Sequence, residues 1–135
     1  MTQQETIINK AAKFMVENST YRDVEQMKHV IAKHIEYRSC VIIVDHYEVL
    51  GIIRWNQMPD GKTAYVCDMI IADKAQHSGV VHELIGLAIK CAPWAEKVIF
   101  ERGYDDGLIK KEFRTYNIEK LFRRISHAYG HQEVR

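Results

Sequence analysis

Hydrophobic residues repeat at intervals of three and four over the first third of the chain. Within residues 3–17 the repeat comprises Ile7, Ile8, Ala11, Ala12 and Met15, which is the spacing of one helix face. A second stripe of this kind extends to about residue 37. Between the two stripes, residues 18–20 are Asn, Ser and Thr, whose short polar side chains cap helix starts. The pattern predicts two helices, the second of them capped from residues 18–20.

Short apolar runs that are typical of strands come next. Residues 40–45, 49–55 and 63–72 are rich in β-branched side chains, which favour pleated sheet. The joins between these runs are brief, and the second join contains Pro, Asp and Gly at positions 59–61, a combination typical of tight turns. Because short joins connect antiparallel strands, the three runs predict an antiparallel meander.

Helix and strand alternate in the remainder of the chain. Residues 79–91 repeat apolar side chains at helical spacing, and 97–101 form another apolar run. Together with the third strand they predict a right-handed β-α-β crossover. Residues 112–116 predict a fifth strand and 117–129 a terminal amphipathic helix. The order α-α-β-β-β-α-β-(β)-α predicts an α/β fold with a mixed, mostly antiparallel sheet, in one domain over residues 1–135.

Composition narrows the class of protein. A chain of 135 residues with a formal net charge of +1 is not a strongly basic nucleic-acid clamp on the scale of the whole molecule. No apolar run approaches the ~20 residues that cross a bilayer, and the first residues lack the features of a secretory signal. Cys40, Cys67 and Cys91 lie far apart among apolar neighbours, which predicts small buried side chains. We expect a cytoplasmic protein.

The segment that joins the third strand to the next helix carries the candidate chemistry. Backbone N–H groups and the positive end of the helix dipole attract anions at a helix start. Gly79 admits a bulky phosphate because it has no Cβ, and Gln76, His77 and Ser78 add side-chain donors. The segment predicts a pyrophosphate cradle, although a glycine at such a junction also occurs in purely structural turns.

Gln76 and Gly79 carry a resemblance to a known family. The segment resembles the motif Gln/Arg-x-x-Gly-x-Gly/Ala of the GCN5-related N-acetyltransferases, with Val81 where that family has a small residue. The order of elements through about residue 101 also agrees with the family. The family's next helix, with its tyrosine, has no recognisable counterpart. The resemblance therefore implies a shortened or rebuilt C-terminal part, similar to that of small phage-encoded members.

The resemblance implies acetyl-coenzyme A (acetyl-CoA) as co-substrate and an amine, on a small molecule or a protein, as acetyl acceptor. The central strand would splay from residues 97–101 near Met69, Ile70 and Ile71 and would bind the pantetheine arm through its backbone. The bulk of Val81 would crowd the pyrophosphate. The residues that would hold the pyrophosphate are Gln76, His77, Ser78, Gly79, Val80 and Val81.

Acetyl transfer to an amine needs one group that accepts a proton and another that supplies one to the leaving thiolate. Asp68 lies inside an apolar strand, where an unpaired charge is costly, and Glu101 ends the neighbouring strand. Tyr116 is the candidate general acid. The structural alternative is an edge-facing carboxylate for both Asp68 and Glu101, a hydrogen-bonded carboxylate also being open for Asp68, and a packed aromatic ring for Tyr116.

The C-terminal region offers a different function. Lys120, Arg123 and Arg124 share one face of the last predicted helix. This face is either a solvated surface or a contact for a coenzyme phosphate, an acidic protein or a nucleic acid. The alternative function is therefore a non-catalytic protein of the same fold, and a homodimer is compatible with either. His127 and His131 lie four residues apart without a third ligand nearby in the sequence, so no metal is expected.

Overall fold

The computed structural model describes the backbone of residues 2–103 and 111–133 and the side chains of residues 2–101 and 113–125. Two helices begin the chain, α1 (Gln3–Asn18) and α2 (Val24–Glu36). Thr2 and Glu5 cap the start of α1 reciprocally, because the side chain of each accepts a hydrogen bond from the backbone N–H of the other. The prediction of two N-terminal helices is confirmed.

The predicted cap of α2 is wrong. Asp23, rather than the polar run at 18–20, caps α2, and its carboxylate accepts a hydrogen bond from the N–H of Gln26 at 3.1 Å. Ser19 instead ends α1, where its hydroxyl donates to the carbonyl of Met15 at 2.5 Å. Short polar side chains bond to the backbone at helix ends as well as at helix starts. The presence of short polar side chains alone therefore does not distinguish the end of one helix from the start of the next.

Five strands form one sheet in the order β1-β2-β3-β4-β5. They are β1 (Cys40–Asp45), β2 (Glu48–Gln57), β3 (Thr63–Ile71), β4 (Lys97–Gly103) and β5 (Lys111–Asn117). The first three form an antiparallel meander, β4 is parallel to β3, and β5 is antiparallel to β4. The mixed, mostly antiparallel sheet is confirmed, and so is its fifth strand.

The remaining helices follow strands. A short 3-10 turn (Asp73–Ala75) and helix α3 (Val80–Cys91) connect β3 to β4, so the predicted β-α-β crossover is confirmed. Helix α4 (Ile118–Glu133) follows β5. In the described part of the chain, no helix is both long and apolar enough to cross a membrane.

Helices cover both faces of the sheet. Arg54 of β2 reaches His34 of α2 on one face, whereas Gly51 of the same strand lies against α3 on the other. A Cβ on Gly51 would stand 2.9 Å from Cδ1 of Leu84, so a glycine is needed where α3 approaches the sheet this closely. The largest fully buried side chains come from the sheet and from the helices on both of its faces. They are Met15, Ile31, Ile52, Ile53 and Leu84.

The expected burial of the cysteines holds only in part. Cys40 and Cys67 are half-buried, but Cys91 is exposed. Cys91 continues the apolar stripe of α3, yet it is the last residue of the helix. Solvent therefore reaches a side chain that helical spacing alone would place against the sheet.

Candidate functional site

Strands β3 and β4 separate halfway along their length. Their parallel pairing covers only residues 63–66 of β3 and 97–100 of β4. Beyond that point β3 continues to residue 71 beside β2, and β4 continues beside β5. The splaying that was expected near Met69, Ile70 and Ile71 is therefore confirmed.

A β-bulge marks the point of separation. Trp55 of β2 pairs with Val66, and the preceding Arg54 pairs with Asp68, so Cys67 is an extra residue in β3. A bulge of this kind bends the strand and increases its twist, and bulges are common beside active sites. Here the second half of β3 leaves β4, and the Asp68 side chain lies against Tyr21 and Arg54.

The separated strands border a cleft of about 440 Å³, a volume typical of small-molecule sites. Asp68, Glu101 and Tyr116 all line it, although they come from three different strands. Met69 lines it too, as does Val81 from the first turn of α3. The structure thus brings the three candidate acid-base residues together at one site.

Asp68 belongs to a buried polar cluster. Its carboxylate accepts hydrogen bonds from Arg54 Nε at 2.6 Å and from the Tyr21 hydroxyl at 2.7 Å, and a second Arg54 nitrogen forms an ion pair with it. The Arg54 and Asp68 side chains are only 12% and 11% exposed. Burial, followed by the hydrogen bond to Asp68, raises the pKa of Tyr21. Both carboxylate oxygens of Asp68 are therefore engaged.

His34 of α2 extends this cluster. Arg54 Nη1 lies 3.1 Å from Nε2 of His34, and Nδ1 of His34 lies 2.7 Å from the Ser39 hydroxyl. Because a guanidinium only donates, Nε2 accepts and Nδ1 carries the proton. Burial, followed by repulsion from Arg54, lowers the pKa of His34. The imidazole is therefore held in its neutral form.

Glu101 and Tyr116 have aromatic neighbours. The Tyr65 hydroxyl donates a hydrogen bond to Glu101 Oε2, and this bond, together with burial, raises the pKa of Tyr65 to about 12. The Tyr116 ring meets Phe100 edge-on, with centroids 5.7 Å apart and an interplanar angle of 79°. Phe100 lines the cleft as well.

The loop before α3 has the backbone shape of a cradle. His77 and Gly79 adopt positive φ angles of 66° and 90°. The first hydrogen bond within α3 joins Glu83 N–H to the Gly79 carbonyl, so the N–H groups of Val80 and Val81 have no acceptor within the helix. Unpaired amides at a helix start are suited to bind an anion.

Two of the predicted side-chain donors form hydrogen bonds within the loop. The Ser78 hydroxyl donates to the Ala75 carbonyl at 2.5 Å, and the Gln76 amide donates to the Ile71 carbonyl at 3.4 Å. Both side chains therefore close the loop on itself, and the candidate donors for an anion are the backbone N–H groups at the start of α3 and the exposed side chain of His77. Of the predicted coenzyme contacts, Met69 and Val81 line the cleft, while the residues that do not are Ile70, Ile71, Gln76, His77, Ser78, Gly79 and Val80.

The basic residues of α4 divide into two groups. Arg123 is ion-paired with Glu119 at 2.5 Å, whereas Arg124 lines the cleft and has no ion-pair partner among the described side chains. Lys120 is exposed. The side chains of the two predicted histidines of this helix, His127 and His131, lie outside the described residues. Within the described residues, no group of three or more His, Cys, Asp or Glu side chains is placed to hold a metal ion.

Sequence reasoning missed Tyr21, His34, Arg54 and Tyr65. A signal for one of them was available, because Arg54 is a charged residue inside an apolar strand, just as Asp68 is. In an antiparallel meander such a pair of opposite charges is expected to face each other across adjacent strands.

Solved structures that share this architecture are N-acetyltransferases. The aminoglycoside 6'-N-acetyltransferase from Enterococcus faecium matches with a TM-score of 0.64 and 10% identity, over 79% of this chain and 62% of that one. The diaminobutyrate acetyltransferase EctA from Paenibacillus lautus, in complex with its substrate and coenzyme A, matches with a TM-score of 0.59 and 10% identity, over 96% and 70%. Mutant forms of the spermidine/spermine N-acetyltransferase SpeG from Vibrio cholerae match with a TM-score of 0.60 and 12% identity, over 89% and 93%.

The chain therefore has the fold of the GCN5-related N-acetyltransferases, as the resemblance of its loop predicted. It spans 62% of the length of the Enterococcus faecium enzyme, and 40% and 58% of two further acetyltransferases. No protein-family model and no curated protein matches the sequence. At identities this low, the similarity establishes the fold.

Proposed function

We propose that this protein transfers the acetyl group of acetyl-CoA to a primary amine. The observation that carries the proposal is the cleft between the separated halves of β3 and β4, which has three acid-base residues on its walls and the start of α3 at one end. A fold alone does not specify an activity. The cleft adds the chemistry that the proposal needs, and the structures with similar folds include acetyltransferases for spermidine and diaminobutyrate.

The geometry fits acetyl-CoA in two places. The amides of Val80 and Val81 at the start of α3 suit the pyrophosphate, and Arg124, which lines the same cleft, suits a further phosphate of the coenzyme. The edge of β3 beyond Cys67 is not paired with a described β4 residue, and its backbone is the proposed partner for the amide groups of the pantetheine arm. The half-buried side chain of Val81 narrows the cradle.

The acid-base roles are proposed from the residues that line the cleft. In the reaction the amine nitrogen forms a bond to the thioester carbon, the C–S bond breaks, one proton leaves the amine and another reaches the sulfur. Glu101 is the proposed base and Tyr116 the proposed acid, and both line the cleft. Because Arg54 and Tyr21 engage both oxygens of Asp68, its proposed role is to hold the bulge in place.

Coenzyme binding is tested by calorimetric titration with acetyl-CoA. Val81→Glu places a negative charge at the cradle and should weaken binding at least tenfold. The control Leu87→Glu makes the same change of charge elsewhere on α3, at a side chain that is 39% exposed and does not line the cleft. Absence of binding to the wild-type protein at millimolar acetyl-CoA, or equal weakening in both variants, would contradict the proposal.

Arg124 and Arg123 provide a second matched pair. Arg124→Gln should weaken acetyl-CoA binding several-fold, whereas Arg123→Gln should leave it unchanged because Arg123 is paired with Glu119. Acetyl-pantetheine lacks the phosphates, so its binding should be equal in both variants. Equal effects of the two substitutions on acetyl-CoA would remove Arg124 from the coenzyme site.

Catalysis is tested by thiol release from acetyl-CoA with spermidine and 2,4-diaminobutyrate as trial acceptors. Glu101→Gln should lower kcat and remove the acidic limb of the pH–rate profile, and Tyr116→Phe should lower kcat while acetyl-CoA still binds. A wild-type protein that binds acetyl-CoA but releases no thiol with any amine would favour the non-catalytic alternative. A pH profile unchanged by Glu101→Gln would exclude Glu101 as the base.

The non-catalytic alternative remains a prediction. It holds that Lys120, Arg123 and Arg124 contact an acidic protein or a nucleic acid, and the exposure of all three is compatible with it. Salt-sensitive binding of DNA or RNA that is lost in an Arg123→Glu/Arg124→Glu variant would support it. Cytoplasmic location, a homodimer, a single domain with a rebuilt C-terminal part and a relationship to phage proteins also remain predictions.

A further inference from the structure

A second groove lies at the end of α2, apart from the cleft. It has a volume of about 360 Å³ and shares no lining residue with the cleft. Lys33 and Arg38 supply two cationic side chains, and none of the residues that line the groove is Asp or Glu. Neither cation forms an ion pair with a described side chain. The groove therefore favours an anion.

Aromatic rings also border the groove. Tyr37 is 74% exposed, and Trp94 is half-buried on the segment that follows α3. An exposed ring contributes little to folding stability because it buries little area, but it offers a face on which a flat ligand stacks. The combination of two cations with two rings is suited to a ligand that carries both a negative charge and a flat ring.

Two side-chain amides add hydrogen-bond acceptors. The Asn56 amide nitrogen donates to Cys67 Sγ at 3.1 Å, and the Gln57 amide nitrogen donates to the Gly61 carbonyl at 3.1 Å. Each nitrogen donates one of its two N–H groups, while neither amide oxygen accepts a bond from a described donor. Amide oxygens bind ring N–H and amino groups, which are the donors that a nucleobase presents.

We propose that this groove is a binding site for a nucleoside monophosphate. The phosphate lies between Lys33 and Arg38, the base stacks against Tyr37 and Trp94, and its amino group donates to an amide oxygen. A volume of about 360 Å³ holds one nucleotide and is small for a longer strand. The proposal does not depend on acetyl transfer, since the groove and the cleft share no lining residue.

Adenosine monophosphate is the probe, titrated against the full-length protein by calorimetry and by tryptophan fluorescence. Wild-type protein should bind it saturably, and Lys33→Gln/Arg38→Gln should raise the Kd by about tenfold or more, the value of one or two charged hydrogen bonds. Tyr37→Ser should raise the Kd as well. Adenosine, which lacks the phosphate, should bind wild-type protein and the double variant equally weakly.

Matched controls lie outside the groove. Lys13→Gln/Arg22→Gln removes two exposed cations, and Tyr47→Ser removes a tyrosine that is 85% exposed. Neither change should alter the Kd. All substituted side chains are exposed, so circular dichroism should show folded protein throughout.

Three results would overturn the proposal. The first is the absence of saturable binding up to about 5 mM adenosine monophosphate, a concentration at which a specific small-molecule site is expected to fill. The second is displacement of the nucleotide by acetyl-CoA together with indifference to the groove variants, which would place it in the cleft. The third is tighter binding of a single-stranded oligonucleotide through the same residues, which would make a nucleic-acid strand the occupant.

Discussion

Arg54 and Asp68 form a largely buried ion pair, and Asp68 also lines the cleft. Their side chains are 12% and 11% exposed, and the pair sits beside the bulge of β3. Arg54→Met leaves the Asp68 carboxylate buried with one remaining donor, the Tyr21 hydroxyl. Removal of one member of a buried pair costs about 3–5 kcal/mol because the remaining charge is uncompensated. We expect the free energy of unfolding of Arg54→Met to fall by that amount.

The double variant Arg54→Met/Asp68→Leu should recover much of this loss. Replacement of both charges by apolar groups of similar volume is often close to neutral. In this protein a residual cost of about 1–3 kcal/mol in total is expected, because Tyr21 and His34 each lose a partner. The coupling free energy between the two sites should therefore be at least about 2 kcal/mol.

Urea denaturation followed by circular dichroism measures these differences for wild type, both single variants and the double variant. Arg22→Met is the control, since Arg22 is an exposed arginine in the connection between α1 and α2, and its effect should stay within about 0.5 kcal/mol. Arg54→Lys keeps the charge without the bidentate geometry, so its cost should be intermediate. The reasoning would be refuted if the losses in unfolding free energy of the two single variants added up to that of the double variant. A loss below about 1 kcal/mol for Arg54→Met would refute it as well.

Three further predictions concern local structure. Asp23→Ala removes the cap of α2 and should lower the free energy of unfolding, measured by thermal denaturation, by about 1 kcal/mol. Ser19→Ala, at the end of α1, should not fray α2. Equal fraying of α2 in the two variants would contradict the assigned cap. Gly79→Ala introduces a Cβ at a φ of 90° and should lower the free energy of unfolding by about 1–2 kcal/mol. The control Gly86→Ala, inside α3, should be neutral or stabilising. The opposite order of stabilities would be inconsistent with the left-handed loop. His34 has a pKa below its unfolded value of 6.5, so the unfolded chain binds more protons below that pH. The contribution of the neutral imidazole to stability is therefore present above pH 6.5 and lost as the pH falls through the folded pKa. His34→Asn should reduce the slope of the free energy of unfolding against pH, and an unchanged slope would show that His34 does not titrate as described.

Local patterns were sufficient for most of the secondary structure. The spacing of Ile7, Ala11 and Met15 identifies a helix face, because a helix repeats every 3.6 residues. β-branched runs joined by a turn such as residues 59–61 identify a meander, since the turn is too short for any other connection. The cap of α2 could not be assigned in the same way, because Ser19 and Asp23 have similar chemistry and only the backbone path decides which of them begins the helix.

The site was predictable as a set of residues but not as an arrangement. Gly79 at a strand–helix junction predicts an anion site from sequence alone, because only local backbone geometry is involved. Asp68 also stands out as a charge in an apolar strand. Its state, however, depends on Tyr21, which lies 47 residues away along the chain. No local pattern contains that contact.

Tertiary structure decided which side chains share a cavity. The amino-acid sequence by itself determined the elements, their order and the loop before α3, since these depend on neighbours a few residues apart. The bulge at Cys67, the separation of β3 from β4 and the meeting of Asp68, Glu101 and Tyr116 depend on strand register. Register is set by packing of the whole sheet against α1, α2, α3 and α4, because a shift of one residue would reverse every side chain between the two faces.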